Sequence, residues 1–397
     1  MSSDKYMRPH DRHAFKIAIF CALNIEADAM IAVFDEIWEE EQNERFHGDT
    51  NSYTLGRICQ HPVVLVHMPR IGKASASSVA ASLQLSFPCI RVGLLVGICG
   101  GVPISGNGKR EIILGDVIVS THIVQIDFGR LYPHSFVRKN MLQDNLSRPN
   151  PEIAGFLSKL QGQAVQADIK DSMRADLAAI FYSTDHTFSG YPGTGKDRLF
   201  EPSYSHKHTD PKACTICAQC TCPEDDVCPD ALNSSCTDLG CDLGKVIPRA
   251  RIQKMNDKGH SAMAYCPIVH FGGLASGDQV IKSALHRDRI AEQEGVIGFE
   301  MEGAGLWDTI PTIVVKGVCD YADSHKDKEW QLYAAVTAAA CAKSILKLWR
   351  GTPKPIDSNS DYESPAPSLI HQVFSGNFTA GKNVYSGGTY TAESMNF

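Results

Sequence analysis

Short apolar segments alternate with amphipathic helical segments along most of this chain. Residues 16–23, 92–96 and 312–319 are apolar runs of strand length, whereas residues 26–39 and 153–182 have the apolar spacing of helices. Further strands are predicted in a hairpin over 53–68 and over 116–120 and 268–271, and further helices over 72–85, 278–294 and 329–349. This alternation indicates a mainly parallel or mixed sheet with helices on both faces. Ligands of such a sheet bind at the carboxyl ends of its strands.

Composition limits the classes of protein to which the chain can belong. Its 397 residues, of which 43% are hydrophobic, can bury one large core with segments left over. A formal net charge of −7 disfavours nucleic acid as a partner, because its phosphate backbone needs a basic surface. The sequence has no apolar run of membrane-spanning length, and its first 15 residues are too polar for a secretory signal. We therefore expect a cytoplasmic protein, with no membrane partner, whose 14 cysteines are thiols or metal ligands.

Acidic residues stand at two predicted strand ends. The segment GFEMEGA at residues 298–304 places Glu300 and Glu302 on either side of Met301, and CDYAD at 319–323 places Asp320 at the end of the next strand. Carboxylates at one sheet edge suit glycosidic-bond cleavage, in which one group holds sugar hydroxyls and another gives a proton to the leaving group. Two glutamates separated by a single residue more often mark the solvated start of a helix. The assignment of a glycosidic function therefore depends on the other motifs.

Five further motifs accompany these acids in a fixed order. They read CALNIEA at 21–27, RIGK at 70–73, GICGG at 97–101, GDVIVS at 115–120 and SGD at 276–278. With the two acidic segments, they resemble the purine nucleoside phosphorylase and nucleosidase superfamily, and most closely the methylthioadenosine/adenosylhomocysteine nucleosidases. The resemblance implies an α/β fold with three layers, α/β/α, and a mixed central sheet over residues 16–350.

The resemblance also implies a role for each acid and no cofactor requirement for catalysis. Glu26 orients or deprotonates the attacking water, and Asp320 protonates purine N7 from a carboxyl that burial keeps protonated near neutral pH. Glu302 holds the ribose 2′- and 3′-hydroxyls, Met301 packs against the sugar, and Glu300 assists at the 2′-hydroxyl. The other substrate-binding residues expected are Gly100, Gly101, Val280 and Ile281.

Two apolar residues bear on the choice of nucleophile. Bacterial hexameric phosphorylases hold phosphate with an arginine and a serine around the glycine-rich loop, and Leu95 and Ile98 stand at those positions here. An apolar pair cannot balance a phosphate dianion, so we expect hydrolysis of purine nucleosides or nucleotides with release of free base. Phosphate-dependent cleavage and a catalytically silent nucleotide-sensing module are the alternatives. Val280 stands where the nucleosidases carry a base-stacking phenylalanine, which leaves the preferred purine open.

Residues 183–263 interrupt the α/β pattern and are rich in glycine, proline, aspartate and cysteine. Segments such as RLFE at 198–201 and DYADSHK at 320–326 resemble the fungal branch of the superfamily, whose domains head immune-receptor-like proteins and in some relatives cleave ATP. The resemblance implies an immune or cell-death effector. A nucleotide substrate needs cations for its phosphates, and those expected from the insertion are Lys196, Arg198, Arg249 and Arg251.

Seven cysteines crowd into the insertion between residues 214 and 241. Their spacing, with His206 and His208 just upstream, suits a structural zinc site, and the ligands expected are Cys214, Cys217, Cys236 and Cys241. An unliganded or redox-active loop is the alternative.

Both ends of the chain depart from the predicted domain. Residues 1–15 form an N-terminal extension, 351–368 a linker rich in proline, serine and aspartate, and 369–397 a flexible tail. The tail mixes small polar with aromatic residues and carries few charges, a composition that permits cross-β stacking. It resembles the short amyloid motifs of fungal receptor–effector pairs, so we expect self-assembly through the tail, with a disordered tail as the alternative. The resemblance of the α/β domain to the nucleoside phosphorylase superfamily also implies a homo-oligomer.

Overall fold

The computed structural model describes residues 8–9, 11–39, 45–105, 110–133, 135–182, 188, 190–223, 225–257, 266–326, 328–351, 378–380 and 383–385. The chain divides into two units, Met1–Trp349 and Arg350–Phe397. Most of the predicted linker and tail, and residues 1–7 and 10 of the predicted extension, lie outside the described residues. No described helix is both long enough and apolar enough to cross a membrane.

The first unit is built on a nine-stranded mixed sheet. Its strands are β1 (Ile17–Cys21), β2 (Glu36–Trp38), β3 (Ser52–Ile58), β4 (His61–His67), β5 (Val92–Gly101), β8 (Val117–Gln125), β11 (Val269–Ser276), β12 (Val296–Glu300) and β13 (Thr312–Asp320). Two small pairs flank it, β6 (Ile104–Ser105) with β7 (Arg110–Glu111), and β9 (Gly129–Tyr132) with β10 (Ser135–Arg138).

The strand order is β12-β11-β8-β13-β5-β1-β4-β3-β2. Strands β4, β1, β5 and β13 are mutually parallel, whereas β8 runs antiparallel to β13. Strand β12 also pairs antiparallel with β5, where Gly298 lies opposite Gly101, and this contact closes β5, β13, β8, β11 and β12 into a ring. The carboxyl ends of β1, β5 and β13 therefore meet at one edge of the sheet.

Helices cover both faces of the sheet. The described helices are α1 (Asn24–Ile31), α2 (Lys73–Ser86), α3 (Pro151–Leu160), α4 (Gln163–Phe181), α5 (Thr215–Gln219), α6 (Pro229–Asn233), α7 (Cys236–Leu239), α8 (Ala250–Asp257), α9 (Ala284–Glu294), α10 (Gly303–Trp307) and α11 (Glu329–Leu348), of which α5–α8 lie in the insertion. Alternate residues of β1 enter opposite cores: Ala18 and Phe20 pack with α2 and α10, whereas Ile17 and Ile19 pack with α1, α4 and α11. The predicted three-layer architecture with a mixed sheet is confirmed.

Three predicted elements have different bounds. The helix expected over 26–39 ends at Ile31, and Glu36–Trp38 instead pairs antiparallel with β3 at the edge of the sheet. The helix expected over 153–182 is two helices, because Gly162 has an extended backbone and separates α3 from α4. The helix expected from residue 278 begins only at Ala284. Tertiary pairing and a glycine break thus override the helical spacing.

The insertion has a small core of its own. An isolated bridge joins Phe200 to Val246, and Phe200 packs there with buried side chains on or beside the short helices, namely Cys217, Cys228, Ala231, Leu239 and Cys241. All 14 cysteines of the chain are free thiols in the structure. In the second unit, β14 (Phe378–Ala380) pairs antiparallel with β15 (Asn383–Tyr385).

Candidate active site

Glu26 lies at the start of α1, just beyond the end of β1. Its carboxylate accepts hydrogen bonds from three backbone amides: Oε2 from Ala22 and Leu23, each at 2.9 Å, and Oε1 from Ile98 at 2.8 Å. The side chain is buried, and burial raises the pKa of Glu26 despite these bonds and a nearby positive charge. A fixed carboxylate with a raised pKa has the properties of a general base.

The two glutamates that follow β12 have different partners. Oε2 of Glu300 accepts hydrogen bonds from the amides of Glu302 (3.0 Å) and Gly303 (2.8 Å), so Glu300 caps the start of α10. Glu302 instead points to neighbouring elements: Oε1 accepts from the amide of Gly72 at 3.3 Å, and Oε2 lies 3.1 Å from Lys316 Nζ. Both side chains are buried. Glu300 thus supports the start of α10, whereas Glu302 links α10 to α2 and β13.

Lys316 is the central cation of this cluster and was missed in the sequence. It lies within β13 and is only 1% exposed. Burial alone would lower its pKa, but Glu302, Glu26 and Glu300 together raise that pKa above its ordinary value. The available signal was a single lysine in an otherwise apolar strand, since a buried ammonium requires acidic partners.

Asp320 ends the same strand. Its Oδ1 accepts a hydrogen bond from the amide of Ala322 at 2.8 Å, and its Oδ2 lies 3.0 Å from Lys326 Nζ. A Cβ on Gly100 would come within 2.9 Å of Asp320 Oδ1, so only glycine permits this approach of β5. The sequence predicted a carboxyl that burial keeps protonated; in the structure the Asp320 side chain is 11% exposed and forms an ion pair with Lys326.

A cavity of about 360 Å³ opens beside Asp320. Among the described residues, four lysine and arginine side chains line it: Lys196 and Arg198 from the insertion, and Lys326 and Lys328 from the segment after β13. Lys196 also forms an ion pair of 2.5 Å with Glu329. The volume lies within the range of small-molecule sites. The structure thus brings two of the four predicted phosphate ligands to Asp320.

The other two predicted phosphate ligands are engaged elsewhere, which corrects that prediction. Arg249 is buried, and its guanidinium donates to the carbonyls of Pro103 and Ile112 at 2.9 and 2.7 Å. Arg251 forms an ion pair with Asp116, a fully buried carboxylate that also contacts His270 at 2.8 Å. Burial would raise the pKa of Asp116, but His270 and Arg251 lower it well below its ordinary value. These arginines therefore support the fold around the cavity.

The remaining predicted substrate residues occupy varied environments. Gly101 pairs with Gly298, and Met301 lies half-buried between the two glutamates. Ile281 is buried in a small core with Phe299 and Ala322, whereas Val280 is 53% exposed. Val280 is thus accessible but offers no aromatic surface for a base.

The four cysteines predicted as one zinc site fall into two groups. Cys214 and Cys217 cluster with Cys228, while Cys236 and Cys241 cluster with His206 and His325. The spacing of cysteines along the chain did not reveal His325, because it lies outside the insertion. The predicted ligand set is corrected accordingly.

Comparison with known proteins adds a family assignment. Residues 16–173 match the family described as the phosphorylase superfamily. This match assigns residues 16–173 to that superfamily. An NLR-like (nucleotide-binding leucine-rich repeat) protein of Hyaloscypha variabilis is 31% identical over 342 residues, which cover 84% of this chain and 29% of that protein. The chain thus spans less than a third of the length of that relative.

Several solved structures are similar to this chain. One is the 5′-methylthioadenosine/S-adenosyl homocysteine nucleosidase of Helicobacter pylori, with 15% identity, a TM-score of 0.47 and coverage of 85% of this chain and 99% of that chain. The MTA/SAH nucleosidase of Streptococcus pneumoniae has 17% identity, a TM-score of 0.47 and coverage of 84% and 99%. Futalosine hydrolase of Helicobacter pylori has 15% identity, a TM-score of 0.44 and coverage of 85% and 99%.

The segment that matches the phosphorylase superfamily contains only part of the candidate site. Glu26, Gly100 and Gly101 lie within residues 16–173, whereas Glu302, Lys316 and Asp320 lie beyond them. The structure joins the two parts through the parallel pairing of β5 with β13, in which Gly97 lies opposite Lys316 and Gly100 opposite Asp320.

The substitution Gly97→Ala tests whether Gly97 is needed to accommodate the Glu26 carboxylate. The added Cβ would lie 2.1 Å from Glu26 Oε1, so the carboxylate would have to leave its three backbone donors. We expect a loss of ~1–3 kcal/mol in the free energy of unfolding, measured by urea denaturation. The control is Gly155→Ala within α3, where a Cβ meets nothing within 4 Å, and helix propensity predicts a gain of ~0.5–1 kcal/mol. Equal stabilities of the two variants would contradict this account of Glu26.

Proposed function

We propose that this chain hydrolyses the N-glycosidic bond of purine nucleosides or nucleotides and releases the free base. The observation that carries the proposal is the buried cluster of Glu26 and Glu302 around Lys316, on the strand that ends at Asp320. Buried charges are costly, so a folded chain retains several of them together where they serve a ligand or a reaction.

Each group of the cluster suits one part of that reaction. Lys316 forms an ion pair with Glu302, and a carboxylate can accept hydrogen bonds from both ribose hydroxyls. Glu26, with its raised pKa, takes a proton from the attacking water as positive charge develops on the sugar. Asp320 is the group that gives a proton to purine N7, and the Lys326 ammonium, 3.0 Å from Oδ2, stabilises the carboxylate that remains.

Water is favoured over phosphate as the nucleophile. Leu95 is fully buried and Ile98 is partly buried, so neither position can offer a charge to a phosphate dianion. A phosphate-dependent reaction would need another anion site, and the cations at the 360 Å³ cavity are the alternative for that role. A silent sensor is disfavoured because binding alone would not require a buried base and an acid at one sheet edge.

The cavity cations favour a phosphorylated substrate. Lys196, Arg198, Lys326 and Lys328 line the same cavity as Asp320, and such a set can hold the phosphates of a nucleotide such as ATP. The relative of NLR-like name supports a role as an immune effector, and the free thiols suit the cytoplasm.

A substrate panel tests the proposed function. The protein is incubated with purine nucleosides and their mono-, di- and triphosphates, and free base is measured by chromatography. We expect base release that Glu302→Gln abolishes and that Glu292→Gln, a change on the exposed face of α9, leaves intact. No base from any member of the panel would overturn the proposal and favour the sensor.

We also propose that residues 369–397 form an assembly module. The short hairpin of β14 and β15 supports this, because paired strands with few charges can extend into cross-β stacks. A synthetic peptide of residues 369–397 is expected to form thioflavin-positive fibres, whereas a peptide with Val384→Pro is not. A wild-type peptide that stays monomeric at high concentration would refute the module.

A further inference from the structure

Four metal-ligating side chains converge at the junction of the insertion with the active-site strand. His206 precedes α5 in the insertion, Cys236 is the first residue of α7, Cys241 follows α7, and His325 follows β13. The four ligand atoms all lie within 4.8 Å of one another. His206, Cys241 and His325 are buried and Cys236 is half-buried, so the cluster is largely shielded from water.

The spacing of the ligand atoms fits a tetrahedral metal. Nδ1 of His206 and Nδ1 of His325 are 3.3 Å apart. Cys236 Sγ lies 3.7 and 3.5 Å from these two nitrogens, and Cys241 Sγ lies 3.5 and 3.9 Å from them. Zinc bonds of the usual length in a tetrahedron give edges of about 3.4 Å between two nitrogens and about 3.6 Å between nitrogen and sulfur. The observed edges therefore match a Cys₂His₂ zinc site.

Both imidazoles are held in the tautomer that a metal needs. Nε2 of His206 lies 2.9 Å from the carbonyl oxygen of Ser234, and Nε2 of His325 lies 3.0 Å from that of Tyr204. A carbonyl can only accept, so each Nε2 carries the hydrogen and each Nδ1 presents its lone pair to the thiols. Such bonds to the far ring nitrogen orient histidine ligands in metal sites.

We propose that His206, Cys236, Cys241 and His325 bind one zinc ion that fastens the insertion to the segment carrying Asp320. His325 stacks on Phe200, at 4.1 Å between ring centroids, so the metal would join the small core of the insertion to the end of β13. Lys326, the next residue, contacts Asp320. The four ligands are therefore positioning residues for Asp320 and for the cavity cations, and none of them acts on the substrate.

The second group, Cys214, Cys217 and Cys228, does not provide these ligands. It offers three cysteine sulfurs within the insertion and no residue from the β13 segment. Any zinc bound there adds to the total but does not depend on Cys236 or Cys241. Metal content must therefore be compared between variants.

Metal analysis of the purified full chain tests the proposal. The double variant Cys236→Ser/Cys241→Ser is expected to hold one zinc per chain fewer than the wild type, while Cys89→Ser, outside both groups, loses none. His206→Cys should retain the zinc, because Cys₃His also coordinates it tetrahedrally. Cobalt substitution of wild type should give a thiolate charge-transfer band that strengthens in His206→Cys and weakens in the double variant. Equal zinc in the wild type and the double variant, or a Cys236–Cys241 disulfide in place of metal, would overturn the site.

A kinetic measurement tests the positioning role and rests on the proposed hydrolysis. Chelation that removes this zinc should lower kcat on the order of 10²-fold with little change in KM, the loss expected when an acid shifts by about 1 Å. Return of kcat on adding zinc supports the role, and an unchanged kcat contradicts it. Metal content is measured without an enzymatic assay. The zinc site can therefore be tested even if the proposed hydrolysis is wrong.

Discussion

Asp320→Asn is expected to reduce kcat for base release by ~10²–10⁴-fold, with KM little changed. Asparagine keeps the shape of the side chain and can still accept the hydrogen bond from the Ala322 amide, but it cannot give a proton to purine N7. A substrate whose base departs without protonation should be affected far less. The rates are measured by continuous detection of free base under saturating substrate.

The matched control for Asp320 is Asp168→Asn, on the exposed surface of α4. It removes the same charge and should leave kcat unaltered. If Asp320→Asn retained the wild-type rate, Asp320 would have no part in the reaction, and the cavity beside it would need another explanation.

Lys316→Met is expected to lower the free energy of unfolding by about 3–5 kcal/mol at neutral pH. Methionine fills similar volume, so the loss arises from the charges that remain: Glu26, Glu300 and Glu302 would be buried without their cation. The loss is measured by chemical denaturation. Lys159→Met, on the exposed face of α3, should change stability by less than about 0.5 kcal/mol.

The loss of unfolding free energy in Lys316→Met should depend on pH in a definite direction. Lys316 lowers the pKa of both Glu26 and Glu300, so its removal raises these pKa values further above the ordinary value of 4.5. The folded state of the variant then binds more protons than the unfolded state, and stability falls as pH rises from 4.5 through the folded pKa values. The loss should therefore be larger at pH 8 than at pH 5. A loss independent of pH would mean that Lys316 does not act through these carboxylates.

The sequence located the acids because their motifs stand at strand ends. Parallel strands bring their carboxyl ends to one edge, so Glu26 after β1 and Asp320 at the end of β13 could be placed together before the structure was known. Lys316 could not be placed in the same way, because a lysine inside a strand gives no sign of which distant acids it will meet.

The four proposed zinc ligands show a second limit of sequence analysis. Cysteine spacing predicted a metal site in the insertion, but the proposed set of ligands includes His325, which stands 119 residues after His206. Only the fold brings it to the insertion. The prediction of a helix through Glu36–Trp38 was wrong for a related reason. The pairing of this segment with β3 outweighs its local helical spacing.

The most direct test of the account is the fate of the attacking oxygen. The protein is incubated with the best substrate of the panel in phosphate-free buffer made with ¹⁸O-labelled water, and the sugar product is analysed by mass spectrometry. We predict free purine base and a ribose or ribose phosphate that carries one ¹⁸O at C1, at a rate that added phosphate does not increase. Base release that requires phosphate and yields a ribose 1-phosphate without ¹⁸O would contradict the account.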